Sequence, residues 1–435
     1  MHKRTTRLGA AAVCTALAIG SVAACGSGGA DDAGGTDGVT TLTYWNQTAD
    51  PETIDAVDSI LDDFMAENPD IKVEQTRYES DKLSPLVKNA FRSGDTPDLA
   101  YVEVSTGREL YEAGLAQSLE DYATEYGWKD RVAEGALAWG TADDGDLFGL
   151  GVEAEINGML WDQTALDELG LTVPTTVDDL ANVCQVARAN DIVPISSGDN
   201  GAGWIWYFYL GLPILNLLGP EDEIAFANHE AGAWTDPDIR AAIETVLVTA
   251  KDAGCFIPEM STLDNNTAIS LIESKDALSY FPACTCNLEP IQSASPDNEY
   301  YMTTWPEVPG GQGQFAMQGM GSLWVINANS EHQDAVARFL DFMVSKDTGV
   351  KLVERAGFAA PVLGIDLQSA DVSDLFKQGV EPLTDPDAET GMSIDLKSSG
   401  EFNDLMGRLS QEVFSDQITL DEFFDQLQAA WENEG

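Results

Sequence analysis

From residue 41 onward, short β-rich runs alternate with amphipathic helical stripes. TLTYW (41–45) is a compact β-rich run. Asp50-Pro51 then predicts a helix start, because proline suits the first helical position, where its missing N–H costs nothing. Ile54, Val57, Ile60, Leu61, Phe64 and Met65 recur at helical spacing and give that helix an apolar stripe. IKVEQ (71–75) alternates as a half-buried strand. Asp81 is the expected cap of a second helix, which carries Leu83, Leu86, Val87, Ala90 and Phe91 and stops at Gly94. DLAYVEV (98–104) predicts a third strand, and Ser105 caps a short helix ending at Gly114. This β-α-β-α-β rhythm predicts a mostly parallel sheet covered by helices, an α/β fold.

A second region begins near residue 150. GMLW reads as a strand and QTALDELG as a short helix closed by Gly170. Thr176 caps a helix bearing Leu180, Val183, Cys184 and Ala187. Asp236-Pro237 starts another, with Ile239, Ala242, Ile243, Val246 and Leu247, terminated at Gly254. DALSYFP (276–282) is strand-like. A Pro/Gly-rich stretch (305–314) precedes a strand, SLWVINA, and a helix from Ser330. The tail is helical, with Phe423, Phe424, Leu427 and Trp431 on one face. There is no internal repeat, and most aromatics on these stripes are core residues.

The first 25 residues follow a different pattern. Lys3, Arg4 and Arg7 precede a run of small and apolar residues, Leu8 to Gly20. That order marks a secretory signal, and the run is shorter than the ~20 residues of a spanning helix. Val22-Ala23-Ala24-Cys25 resembles the bacterial lipobox, whose cysteine is lipidated. The Gly/Ser/Asp-rich stretch 26–38 cannot bury anything and reads as a tether. Residues 1–24 are therefore assigned to the signal peptide, and 25–40 to the lipidated Cys25 and a flexible tether. The expected product is a body held on the extracellular face of a bacterial cell membrane by its lipid alone.

Composition narrows the function. Lys and Arg total 22 against 74 Asp and Glu, a net charge of -52. Nucleic-acid binding needs clustered cations and is excluded, and docking on anionic lipid is disfavoured. The acids are spread along the chain, as on a solvated, self-repelling surface. After loss of Cys14 and lipidation of Cys25, four cysteines remain: Cys184, Cys255, Cys284 and Cys286. An even number outside the cell predicts two disulfides. A Cys284–Cys286 ring is tight, so each of these two is expected to pair with Cys184 or Cys255. Zinc is the disfavoured alternative, since only one C-x-C is present and the three histidines are not at ligand spacing with it.

The segments LTYW…ILDDFMAENPDIKVE, FRSGDTPDLAYVE, LDELGLTVPTTVDDL, IVPIS, WTDPDIRAAIE and SLWVINANSEHQDAVARFLDFMVSKDTGVKLVERAGFAAPV follow one another along the chain. In that order they are similar to the bacterial extracellular solute-binding proteins for sugars, the substrate receptors of ABC importers. The likeness runs from about residue 41 to 365. It departs from the family where Val177 replaces a usual Trp and where Trp161-Asp162 replaces Tyr-Asn. It departs again where Cys284-Thr285-Cys286 replaces a frequent Gly-Ser-Trp, whose Trp is a sugar platform. The resemblance implies a periplasmic-binding-protein-like fold of type II: two α/β lobes, several crossovers and a ligand cleft between the lobes. The expected lobes are 41–150 plus 305–350, and 151–304 plus 351–435. The implied partners are a neutral mono- or oligosaccharide and the permease subunits of an importer. A monomer is expected, with no cofactor, metal ion or catalytic residue.

A buried sugar needs flat apolar plates for its faces and a hydrogen-bond partner for each hydroxyl, because an unpaired buried polar group costs ~1–3 kcal/mol. Carboxylates suit hydroxyls, since charge-assisted bonds are the stronger ones. Trp45 and Asn46 end the first strand, and Glu103 ends the third. Glu153 and Glu155 stand at the first expected crossover. In GWIWYFYLG (203–211), helical spacing puts Trp204, Tyr207 and Phe208 on one side and Trp206 elsewhere; Trp204 or Trp206 is a candidate stacking plate. Trp305 falls at the expected second crossover, and Gly319-Met320-Gly321 lets backbone approach a ligand, with Gly321 the candidate. The competing readings are a surface glycosidase using paired carboxylates such as Glu153 and Glu155, and a sugar sensor outside transport.

Overall fold

The computed structural model describes residues 38–47, 51–94, 97–142, 144–151, 154–201, 203–319, 322–385 and 388–434. Cys25, the signal segment and nearly all of the tether lie outside them.

The described residues supply eleven strands: β1 Thr40–Gln47, β2 Ile71–Tyr78, β3 Leu99–Val102, β4 Leu150–Gly151, β5 Glu155–Asp162, β6 Val193–Ser196, β7 Ala277–Cys284, β8 Tyr300–Thr303, β9 Ala316–Gly319, β10 Leu323–Ile326 and β11 Thr390–Met392. They form two sheets, each with its own apolar core. The first has the order β2-β1-β3-β10-β4, the second β11-β9-β5-β7-β6, with β8 also on β5. This is the two-lobed α/β architecture expected from the sequence.

Local sequence explains most elements of the first lobe. Leu42 and Tyr44 alternate into the core, and the helix Pro51–Glu67 buries Ile60, Leu61 and Phe64 on one stripe. Gly94 ends the helix Ser80–Ser93 at φ 79°, a left-handed conformation that glycine adopts without a Cβ clash. That helix starts at Ser80 after Glu79, one residue before the expected cap Asp81, and Ser105 falls inside the helix Val104–Glu112. Asp98 sets the start of β3: its carboxylate accepts from Thr43 N (2.8 Å), Thr43 Oγ1 (2.7 Å) and Ser330 Oγ (2.6 Å).

In the second lobe, Thr176 and Asp179 form a capping box at the start of Val177–Ala189. Asp236 caps Pro237–Glu244. Trp206, Tyr209 and Phe281 pack in its core.

Two expectations shift. The sequence places the stretch from 305 in the first lobe, yet β9 belongs to the second sheet, so the chain returns only between Gly319 and Leu323. The helix Lys346–Ala356 then stays with the first lobe and packs on Pro51–Glu67, where Lys351 and Arg355 pair with Asp63 (2.8 and 3.3 Å). The cysteine pairing also differs: Cys184 joins Cys255, and Cys284 joins Cys286, with Cα–Cα distances of 4.9 and 5.1 Å. Cys184 lies on the buried side of its helix and Cys255 in the adjoining core, both at 0% exposure, so that pair is sealed away from the other two.

Candidate functional site

The strand ends define the site. In the first sheet, β1, β2 and β3 are parallel and finish on one edge, since Gln47 pairs with Tyr78 and Trp45 with Ala100. β4 finishes and antiparallel β10 begins on that edge, with Leu323 opposite both Val102 and Gly151. In the second sheet Glu155 pairs with Gly319, Asn157 with Cys284, and Met392 with Gln318. The start of β5 and the ends of β7, β9 and β11 therefore share one edge. The links Gly151–Glu155 and Gly319–Leu323 join the two edges. Links of this length span at most about 14 Å, so the edges oppose one another across a narrow gap. Loops leaving the carboxyl ends of parallel strands converge there, as at other α/β ligand sites.

Glu103 is the first residue beyond β3. It is exposed to solvent, yet protein surrounds it closely enough to raise its pKa. Burial contributes most; the charges of Asp395 and Asp404 add to it and Lys88 opposes it. Accessibility combined with dense surroundings describes a carboxylate inside an open crevice. Asp395 lies three residues beyond β11, and burial pushes its pKa up to about 6 against the hydrogen bond from Ser393 Oγ. Burial first, then Asp395, Asp404, Glu103 and Asp199, drive the phenol of Tyr207 upward. Glu103 and Lys88 come from the first lobe; Tyr207, Asp395 and Asp404 come from the second.

The supports of these groups are local. Ser399 caps the helix Gly400–Phe414 through Phe402 N, and Asn403 Nδ2 donates to the carbonyl of Asp395 (2.9 Å). The same helix start meets the first lobe, because a Cβ on Gly400 would stand 3.4 Å from Glu109 Oε1. Glu109 in turn pairs with Lys88 at 2.5 Å. Met392 and Leu396 pack on the first-lobe core while Ile394 packs in the second, so the segment after β11 clasps both lobes.

The remaining candidates divide. Trp45 is half-buried at the strand-end edge, its ring 5.0 Å from that of Tyr78. Strand alternation turns Asn46 the other way, where it lines a small hollow of about 70 Å³ with Tyr44, Arg77 and Tyr101. Glu155 is half-buried at the start of β5. Trp204 is half-buried just ahead of the helix Ile205–Leu218, edge-on to Phe208. Trp206 is 1% exposed, with its Nε1 on Asp199 Oδ2 (3.1 Å) and Phe414 against its ring. Trp305 is 0% exposed, with its Nε1 on Thr245 Oγ1 (3.2 Å). Both are core tryptophans with no face open to a ligand. Glu153 and Gly321 lie outside the described residues. Tyr207, Asp395, Asp404 and Lys88 were not singled out from sequence. The helical spacing already put Tyr207 beside Trp204, but nothing marked the three-residue strand that carries Asp395 to the crevice.

Among the described residues, Glu155, Cys284 and Cys286 bring ligand-type atoms within 4.8 Å of one another. The two sulfurs are joined to each other and offer no thiolate to a metal. A surface hollow of about 440 Å³, lined by Val248, Lys251, Asp416 and Thr419 among others, lies elsewhere on the second lobe, away from the strand ends.

The fold and the opposed strand ends define a two-lobed binding protein. The chain belongs to the bacterial extracellular solute-binding proteins, whose family profile matches residues 50–350. It is 21% identical over 342 residues to a multiple sugar-binding protein of Streptococcus mutans, covering 75% of this chain and 76% of that one. A solved structure from work on xylan utilization by Caldanaerobius polysaccharolyticus superposes with a TM-score of 0.80 at 21% identity, covering 90% of this chain and 99% of that one. A chitin oligosaccharide binding protein gives 0.78 at 18% identity over 91% and 99%.

Proposed function

We propose that the chain is the substrate receptor of an ABC importer, and that its crevice captures a neutral sugar or short oligosaccharide for a membrane permease. The observation that carries this reading is the crevice between the opposed strand ends, into whose field Glu103 of the first lobe and Tyr207, Asp395 and Asp404 of the second all fall. These are acceptors for hydroxyls, with half-buried rings at Trp45 and Trp204 as apolar plates. A phosphorylated or acidic ligand would meet like charge in this crevice. A ligand bridging both lobes favours the closed arrangement through contacts it makes only there. Glu155 belongs to the same edge and is assigned to the ligand.

Around this core, Cys25 is read as the lipidated residue that holds a monomeric receptor outside the cell, with both cysteine pairs oxidised. The lobe surfaces beside the crevice are the expected permease contacts.

A thermal-shift and calorimetric panel of neutral mono- and oligosaccharides tests the reading. A true ligand at a hundred times its Kd stabilises by about 2.7 kcal/mol. A panel without a single hit, or one in which anionic sugars bind best, removes it. Release of hydrolysis products from a bound oligosaccharide would favour the glycosidase instead.

A further inference from the structure

The Cys284–Cys286 pair stands on the crevice edge. Cys284 ends β7 opposite Asn157, and Glu155 opens the neighbouring strand two residues away. The three-residue turn is oriented: Thr285 points inward at 1% exposure, and its Oγ1 accepts from Ile156 N (3.4 Å). Both cysteines are half-buried, in contrast to the sealed Cys184–Cys255 pair, and their sulfurs lie within 4.8 Å of a Glu155 carboxylate oxygen. Cys284 N donates to Asn287 Oδ1 (3.0 Å), which holds the turn from its far side. Beneath it, Asn157 is 4% exposed and its Nδ2 finds no acceptor among the described residues.

Such a pair contributes little to global stability. The residues are two apart in sequence, against 71 for Cys184–Cys255, and closing a tiny loop removes little freedom from the unfolded chain. Its effect is local: it fixes a short apolar, polarisable surface beside a carboxylate. That pairing suits the C–H face of a sugar ring with a hydroxyl on its rim.

We infer that the Cys284–Cys286 disulfide is itself part of the ligand surface, so that capture of the carbohydrate depends on the oxidation state of this pair. The inference rests on the carbohydrate reading of the crevice. Reduction by an external dithiol exchanges the protein S–S bond for two thiols and leaves the reductant as its own disulfide. The ring opens, the turn loosens, and the surface beside Glu155 is lost. The Cys184–Cys255 pair, at 0% exposure, is shielded from the same reagent.

The test begins with the oxidised protein and its best ligand from the neutral-sugar panel. The protein is treated with a dithiol under native conditions, and half is capped with iodoacetamide. Mass spectrometry is expected to find the label on Cys284 and Cys286 and not on Cys184 or Cys255. Affinity for the sugar is expected to fall by roughly tenfold, equivalent to one lost contact, and to recover when the uncapped half is reoxidised. The double variant Cys284→Ser/Cys286→Ser should show the same loss with an unchanged far-ultraviolet spectrum. Capped protein or double variant that binds with the affinity of the oxidised protein overturns this inference and leaves the receptor reading standing. Oxidised protein that binds no carbohydrate overturns both.

Discussion

Glu103 of the first lobe lies within electrostatic reach of Asp395 of the second, whose charge adds to the burial that raises the Glu103 pKa. Each is held by its own lobe, one at the end of β3, the other by the Asn403 bond to its carbonyl. Hydroxyl donors of a ligand placed between them would relieve that repulsion. Glu103→Gln keeps the shape and weakens acceptance. Sugar affinity should fall by about ten- to a hundredfold, since bonds to charged groups contribute ~1.5–3 kcal/mol, while the melting temperature at pH 7 stays the same or rises. Calorimetry beside a melting curve checks both halves.

Asp395 makes a pH prediction. Its folded pKa, about 6, lies above the ordinary 3.8. The folded state therefore holds the proton more tightly, and the associated stability is complete below the unfolded pKa and lost as pH rises through about 6. The loss is at most about 3 kcal/mol. Asp395→Asn should flatten this part of the stability profile between pH 4 and 7 relative to the parent, measured by urea unfolding. An identical slope in both proteins would refute it.

The aromatic helix Ile205–Leu218 separates packing from binding at adjacent positions. Trp206→Ala empties a filled core site and should cost about 3–5 kcal/mol. Tyr207→Phe removes only a hydroxyl that sits in the field of Asp395, Asp404 and Glu103, so stability should hold and sugar affinity should drop severalfold. A variant pair with the opposite outcomes would mean the helix face has been assigned backwards.

The two cysteine pairs should differ in global stability. Replacing Cys184 and Cys255 by Ala opens a loop of sequence separation 71 and should cost about 4 kcal/mol. Replacing Cys284 and Cys286 should cost less than half of that. Urea midpoints of the two double variants decide it.

Much of the architecture was legible in the chain. Apolar stripes and caps such as Thr176 and Asp236 foretold their helices, the alternating run at 71–75 foretold β2, and β-rich runs foretold β1, β3 and β7. The site was only half legible. Glu103 follows from a strand end, but a tryptophan's letter does not say which way it points: Trp204 is half-buried and Trp206 is sealed two residues later. Asp395 depends on β11, a three-residue strand with no pattern of its own, pulled in by pairing with β9. The cysteine pairing was misjudged because the closeness of Cys184 to Cys255 is a tertiary fact, set by a helix packing on its neighbour.

The late arrival of β10 bears on biogenesis. The first sheet lacks its strand between β3 and β4 until residues 323–326 have been made, so nascent chain must wait with an open seam while the other sheet gathers its own strands. An unpaired seam invites wrong partners. Holding factors that keep the polypeptide extended until synthesis has passed that point would serve this topology better than rapid collapse of its front half.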